Sequence, residues 1–147
     1  MRISVFGLGY VGTVTAGCLA RAGHMIVGTD IDPHKVELIT AGMTPVIEEK
    51  IEHLLSEAVR SGRLVAVKNG ERAIAQSEVS LVCVGTPSRD NGSLDLTYIE
   101  RVCRQIGAAL AKVDDFHTVV VRSTVPPTTT EQRITPILER ASGKRAG

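Results

Sequence analysis

The chain opens with MRISVFGLGYVG, Met1 to Gly12, an apolar run that breaks into glycines at Gly7, Gly9 and Gly12. Behind it Thr13, Val14, Ala16, Cys18, Leu19 and Ala20 recur at helical spacing until Gly23, so the glycines stand between a strand and a helix. In such a G-x-G-x-x-G turn each glycine has a task. Gly7 permits the tight turn, Gly9 lets the backbone approach a pyrophosphate, and Gly12 lets the helix press on the strand. The N–H groups left free at the helix start then face an anion. A second apolar run, Met25 to Gly28, ends at Asp30, about twenty residues on, where an acid that binds ribose hydroxyls belongs. With no arginine near Asp30, NAD is expected as cofactor rather than NADP. Lys35 has three readings at this point: it offsets Asp30 and tolerates a 2′-phosphate, it lies along the adenosine, or it is a solvated first-turn residue.

Asp32-Pro33 is a capping acid followed by proline at the first helical position, and a helix is expected from there through Val36, Leu38 and Ile39 to Gly42. Glu48 to Gly62 carries Ile51, Leu54, Leu55, Ala58 and Val59 on one helical face. Leu64 to Val67 reads as a third strand and Glu71 to Gln76 as a brief helix. The continuous apolar run Val79 to Val84 has the mark of a central parallel strand covered on both faces. Ser88 to Asp95 is a polar loop with Asn91-Gly92 at its tip. A helix over Thr97 to Ala111, a strand over Thr118 to Val121 and a last helix near Glu131 to Arg140 complete the chain.

Strands separated by helices pair in parallel, and right-handed crossovers bring their carboxyl ends to one edge. The expected fold is therefore α/β, a Rossmann-type doubly wound parallel sheet of order 3-2-1-4-5 forming a single domain over residues 1–147. The sixth strand of the longer version of this fold is missing, which leaves His117 to Val121 as an edge. At the switch point between strands one and four, the Gly7 to Gly12 turn, Asp30, Thr86 and Thr124 should converge. The two threonines are read equally well as dinucleotide contacts or as simple strand-end and cap residues.

Formal net charge is +1 with both signs interspersed, which gives no electrostatic footprint for nucleic acid or an anionic membrane. No apolar run approaches the roughly 20 residues of a membrane span, and Met1 leads straight into a strand, so a cytoplasmic location is expected. Cys18, Cys83 and Cys103 lack C-x-x-C spacing and are expected as reduced, buried thiols, while the four histidines form no ligand pattern, so no metal is expected.

Four motifs together resemble the amino-terminal NAD-binding domain of the UDP-glucose/GDP-mannose dehydrogenase family: FGLGYVG at Phe6 to Gly12, VGTDID at Val27 to Asp32, CVGTPS at Cys83 to Ser88, and VVVRSTV at Val119 to Val125. NGSLDLTYIE at Asn91 to Glu100, HTVVVRST at His117 to Thr124 and ASGKRAG at Ala141 to Gly147 are more similar to the GDP-mannose branch than to the UDP-glucose one. The resemblance implies that two NAD molecules in succession oxidise a nucleotide-sugar 6-hydroxyl to a carboxylate, through an enzyme-bound thiohemiacetal and thioester. It also implies cofactor contact by Tyr10 and Val11, Asp30 on the ribose with Lys35 beside it, and Thr86 and Thr124 farther along the dinucleotide. Thr124 is the one residue here with an implied part in placing catalytic water or nicotinamide. The family's nucleophilic cysteine, catalytic lysine and asparagine, and most sugar-nucleotide contacts match nothing in this chain, so they are expected in a second domain absent from it. The full-length enzyme is expected to be a homo-oligomer. The chain departs from the family in two places: Glu48-Glu49-Lys50-Ile51 stands where E-P-G-L is usual, and Pro127-Thr128 replaces the glycine that follows S-T-V-x-P. Two other readings of the glycine turn stay open, a freestanding NAD-binding or regulatory module and the first domain of another hydroxyacid-type dehydrogenase.

Overall fold

A computed structural model describes residues 1–147, the side chain of Glu49 apart. The strands are β1 (Arg2–Phe6), β2 (Met25–Thr29), β3 (Leu64–Val67), β4 (Val79–Val82) and β5 (Thr118–Val121). Every neighbouring pair is parallel, in the order β3-β2-β1-β4-β5, with Ile3 opposite both Ile26 and Val79. The helices are α1 (Tyr10–Arg21), α2 (Pro33–Thr40), α3 (Glu49–Arg60), α4 (Gly70–Ala75), α5 (Thr97–Leu110) and α6 (Thr135–Ser142), with a π-helical turn at Thr130–Ile134.

Alternation along the strands builds two cores, one on each face of the sheet. Ile3, Val5, Ile26 and Leu64 pack under α1, α2 and α3, joined by Val36, Ile39, Leu54 and Leu55. Phe6, Val27, Val67 and Val82 face the other way and meet Ala73 and Ile74 of α4 and Ile99, Cys103 and Ile106 of α5. Because parallel strands are covered on both faces, the chain can read as continuous apolar runs and still solvate its helices' outer sides.

One polar seam crosses the base of the sheet. The Ser4 and Ser80 hydroxyls lie 2.7 Å apart, Ser77 is 3.0 Å from Ser4, and His117 Nε2 is 2.7 Å from Ser80 Oγ. Burial holds the His117 imidazole below its ordinary pKa. The serine hydroxyls of the seam all have partners, while His117 Nδ1 is buried without one, and the contacts tie β1, β4 and β5 together near their amino-terminal ends.

Helix starts follow local chemistry. Asp32 accepts from the His34 N–H at 2.9 Å ahead of Pro33, and Asn69 accepts from the Glu71 N–H at 2.8 Å. Asp95 accepts from the Thr97 hydroxyl and N–H and from Arg89, which hold its carboxyl down at about 2. The polar segment 88–95 is thus pinned to the first turn of α5, and Ser88 bridges back to Leu94.

Some boundaries differ from the sequence reading. Strand β4 stops at Val82 rather than Val84, because Cys83 and Val84 turn over the glycine loop. The expected last helix, Glu131 to Arg140, divides into the π turn and α6, which lies against α5. Strand β5 pairs with β4 only, and Val120 is exposed on its outer face.

The π turn follows a strained residue. Thr128 sits at φ 68°, in the left-handed region that a β-branched side chain resists. That is the position where the resemblance to the dehydrogenase family implies a glycine. Thr128→Gly should therefore raise stability by about 0.5–1 kcal/mol, the relief of strain exceeding the added freedom of the unfolded chain. Urea unfolding checks this, and an unchanged or lower midpoint would show that Thr128 is held without strain.

Candidate functional site

The β1–α1 connection is shaped by three glycines with different constraints. Gly7 has φ +98°, and a Cβ there would lie 2.9 Å from the Cys83 carbonyl oxygen. At Gly12 a Cβ would fall 1.8 Å from the Gly7 carbonyl oxygen, inside any contact distance. At Gly9 a Cβ would meet nothing within 4 Å. The chain's own packing therefore demands glycine at 7 and 12, whereas nothing in the chain itself demands it at 9. That is the cradle a dinucleotide phosphate would need, open at the first turn of α1.

Leu8, between them, is fully buried in the core. Its side chain rests on Gly28 of β2, where a Cβ would come within 2.9 Å of Leu8 Cδ2. Thr13 donates its hydroxyl to the Leu8 carbonyl at 3.0 Å. The Leu8 N–H points the other way and donates to Asp30 Oδ2 at 2.6 Å. Asp30 Oδ1 accepts from the Asp32 N–H at 2.9 Å, and Lys35 Nζ stands 3.7 Å from Oδ2. The carboxylate is thus fixed at the end of β2 by two backbone donors and one cation, with its side chain only 7% exposed.

Gly7, Gly9, Asp30 and Lys35 line one cleft of about 920 Å³ along the carboxyl edge of the sheet. Its other walls are Lys68, Asn69 and Gly70 after β3, Val84 and Gly85 after β4, and one side of α5. Tyr10 and Val11 stand exposed on the first turn of α1, outside that lining. The Tyr10 hydroxyl donates to Glu48 Oε2 at 3.2 Å, and this bond raises the phenol's pKa. Gly12 is buried beneath the loop. Thr86 and Thr124 also lie outside the cleft lining, but they meet each other: the Thr86 hydroxyl donates to the Thr124 carbonyl at 2.8 Å. Ser123 adds a bond to the Val84 carbonyl at 2.7 Å, so the exits of β4 and β5 are laced together.

The cysteines offer no activated thiol in the cores. Burial pushes Cys83 up to about 11 and Cys103, with Glu100 beside it, up to about 12, so both are protonated thiols at neutral pH. Cys18 is exposed rather than buried as expected. It falls between Gly17 and Leu19 on α1, whose inward positions are taken by Thr13, Ala16, Gly17 and Ala20. Among the described residues no group of three or more His, Cys, Asp or Glu side chains could hold a metal ion.

Sequence reasoning did not single out Gly28, the Lys68–Gly70 turn, or Arg101 and Gln105 of α5. Gly28 had a readable signal, a glycine inside a β run, which marks close approach of another group. The others are surface residues made neighbours only by the crossovers.

The two kinds of glycine separate in experiment. Gly12→Ala should cost about 3 kcal/mol or more, since backbone must move to relieve the contact, while Gly9→Ala should cost under about 1 kcal/mol. Urea denaturation of both variants checks this, and a tolerated Gly12→Ala would contradict the packing described.

Comparison with known proteins agrees with this architecture. The profile of the UDP-glucose/GDP-mannose dehydrogenase family, NAD binding domain, matches residues 1–147. The chain is 53% identical to GDP-mannose 6-dehydrogenase of Azotobacter vinelandii over 147 residues, which is 100% of the chain and 34% of that enzyme. It is 40% identical to a UDP-glucose 6-dehydrogenase of Haloferax volcanii over the same span, again 34% of that enzyme. Among solved structures, a ternary complex of GDP-mannose dehydrogenase from Pseudomonas aeruginosa superposes with a TM-score of 0.99 at 50% identity, covering 100% of this chain and 34% of that one. The UDP-glucose dehydrogenase of Pyrobaculum islandicum gives 0.93 at 40% identity, covering 97% and 33%. The chain spans about a third of the length of the relatives it matches and belongs, as its NAD binding domain, to the UDP-glucose/GDP-mannose dehydrogenase family.

Proposed function

We propose that this chain is the cofactor-binding part of a nucleotide-sugar 6-dehydrogenase of the GDP-mannose type, oxidising a sugar 6-hydroxyl to a carboxylate. Bound NAD supplies the hydride acceptor for that chemistry. The GDP-mannose assignment rests on identity, 53% and 50% to two GDP-mannose enzymes against 40% to a UDP-glucose one. The cofactor assignment rests above all on Gly9, the one glycine of the loop whose Cβ position is open, beside an acid held rigid at the ribose position.

In this reading the N–H groups at the start of α1, with Tyr10 and Val11 beside them, hold the pyrophosphate, and Gly7 and Gly12 shape the loop. Asp30 accepts from the adenosine ribose hydroxyls with the lone pairs that Leu8 and Asp32 leave free, and Lys35 keeps its charge compensated. Thr86 and Thr124, tied to each other, position the nicotinamide half and the water that must approach it. The nucleophile and the sugar-nucleotide contacts belong to the part of the relatives' length that this chain does not span, in a second domain. The complete enzyme would act as a homo-oligomer in the cytoplasm. Residues 1–147 alone would bind NAD without oxidising GDP-mannose.

Selectivity follows from the same carboxylate. A 2′-phosphate would meet Asp30, which cannot swing away without breaking its bonds to Leu8 and Asp32. Lys68, another cation lining that cleft, is committed to Glu37 at 2.9 Å. NAD should therefore bind more tightly than NADP, and Asp30→Ala should weaken NAD by about 1.5–3 kcal/mol. Gly9→Val should abolish binding in a folded chain by filling the cradle. Calorimetry with both dinucleotides tests these points together, and equal or tighter NADP binding to the wild-type chain would refute the assignment of Asp30.

A further inference from the structure

The cleft is lined by four cations, and three of them are already spoken for. Lys35 faces Asp30 at 3.7 Å, Lys68 meets Glu37 at 2.9 Å, and Lys112 meets Glu71 at 2.7 Å. Arg101 pairs with no carboxylate among the described residues, and the adjacent Glu100 meets Arg104 at 3.2 Å and Arg133 at 3.0 Å. Arg101 stands on α5 in a stripe, Tyr98, Arg101, Gln105 and Ala108, that follows helical spacing along the cleft wall, with Lys112 just past the end of the helix. On the wall at the end of β2, directly after the acid assigned to the adenosine ribose, Ile31 leaves a β-branched apolar side chain 76% exposed.

A lone guanidinium and an exposed aliphatic side chain lining one cleft are suited to a flat, apolar-faced, electron-rich group. A guanidinium is planar and weakly hydrated, so it stacks on such a face at little desolvation cost, whereas an ammonium does not. Small side chains beyond it, Ala108 and Ala109, leave room along the helix. Resting on the cofactor reading above, we propose that the adenine ring of the dinucleotide is held between Ile31 and the guanidinium of Arg101. Arg101 is then a positioning residue for the cofactor's adenosine end, acting by its planar face and not by its charge alone.

Calorimetry on the wild-type chain and on the Arg101→Ala and Arg101→Lys variants tests this, using NAD and ADP-ribose, which keeps the adenine and lacks the nicotinamide. Arg101→Ala should weaken both ligands by about tenfold, and Arg101→Lys should recover no more than about twofold of that loss. The loss should persist at about 0.5 M salt, where a charge acting at a distance is screened. Full recovery by lysine, a loss that disappears in salt, a loss confined to NAD, or unchanged affinity would each overturn the stacking role while leaving the cofactor reading intact. A wild-type chain that binds neither ligand would instead sink the cofactor reading, and this inference with it.

Discussion

The hydrogen bond from the Leu8 N–H to Asp30, 2.6 Å long, connects the two elements on which everything else depends. It joins the turn after β1 to the end of β2 across 22 residues of sequence, and it does so at the edge of the sheet where ligands gather. An N–H donating to a largely buried carboxylate makes a strong bond, and one that is costly to leave unmade. Leu8 is anchored from the other side by its own burial on Gly28, so the loop is clamped between an apolar contact and a charged one. Asp30 therefore has a structural duty that precedes any ligand.

The same logic runs across the sheet in layers. Apolar alternation on both faces sets the register, the serine and histidine seam ties β1, β4 and β5 at their starts, and Thr86 with Ser123 ties β4 and β5 at their exits. A short five-stranded sheet with one lightly covered edge strand is thereby held at both ends of that strand. Rigid elements with ordered exits are what a binding site needs, because side chains and N–H groups must already stand in place when the ligand arrives.

The strand order, the glycine turn and the acid at Asp30 were legible in the chain because each has a local cause: a period of two, a φ only glycine takes, a carboxylate at a strand's end. The whole of β5 and the bounds of β3 could be read directly from their apolar runs. Other features depend on contacts between distant residues and could not be read that way. Ser4 and Ser80 look like interruptions of apolar strands until β1 and β4 pair, and Cys18 looks like a core position until the helix rotation is known. The cleft wall on α5 is the extreme case, since Arg101 faces the cleft only through the crossover from β4. The last helix falls where the sequence places it, but apolar spacing does not show that its first turn, Thr130–Ile134, is π-helical.

In the proposed function NAD binds at the Gly7 to Gly12 turn, held by Asp30. Amide chemical shifts in a ¹⁵N-labelled chain titrated with NAD test it most directly. Binding there should give saturable shifts at Leu8, Gly9, Tyr10, Val11 and Asp32, with His117 and Thr118 at the opposite edge of the sheet unmoved. Saturable shifts centred elsewhere, with the Leu8 and Gly9 amides silent, would contradict it.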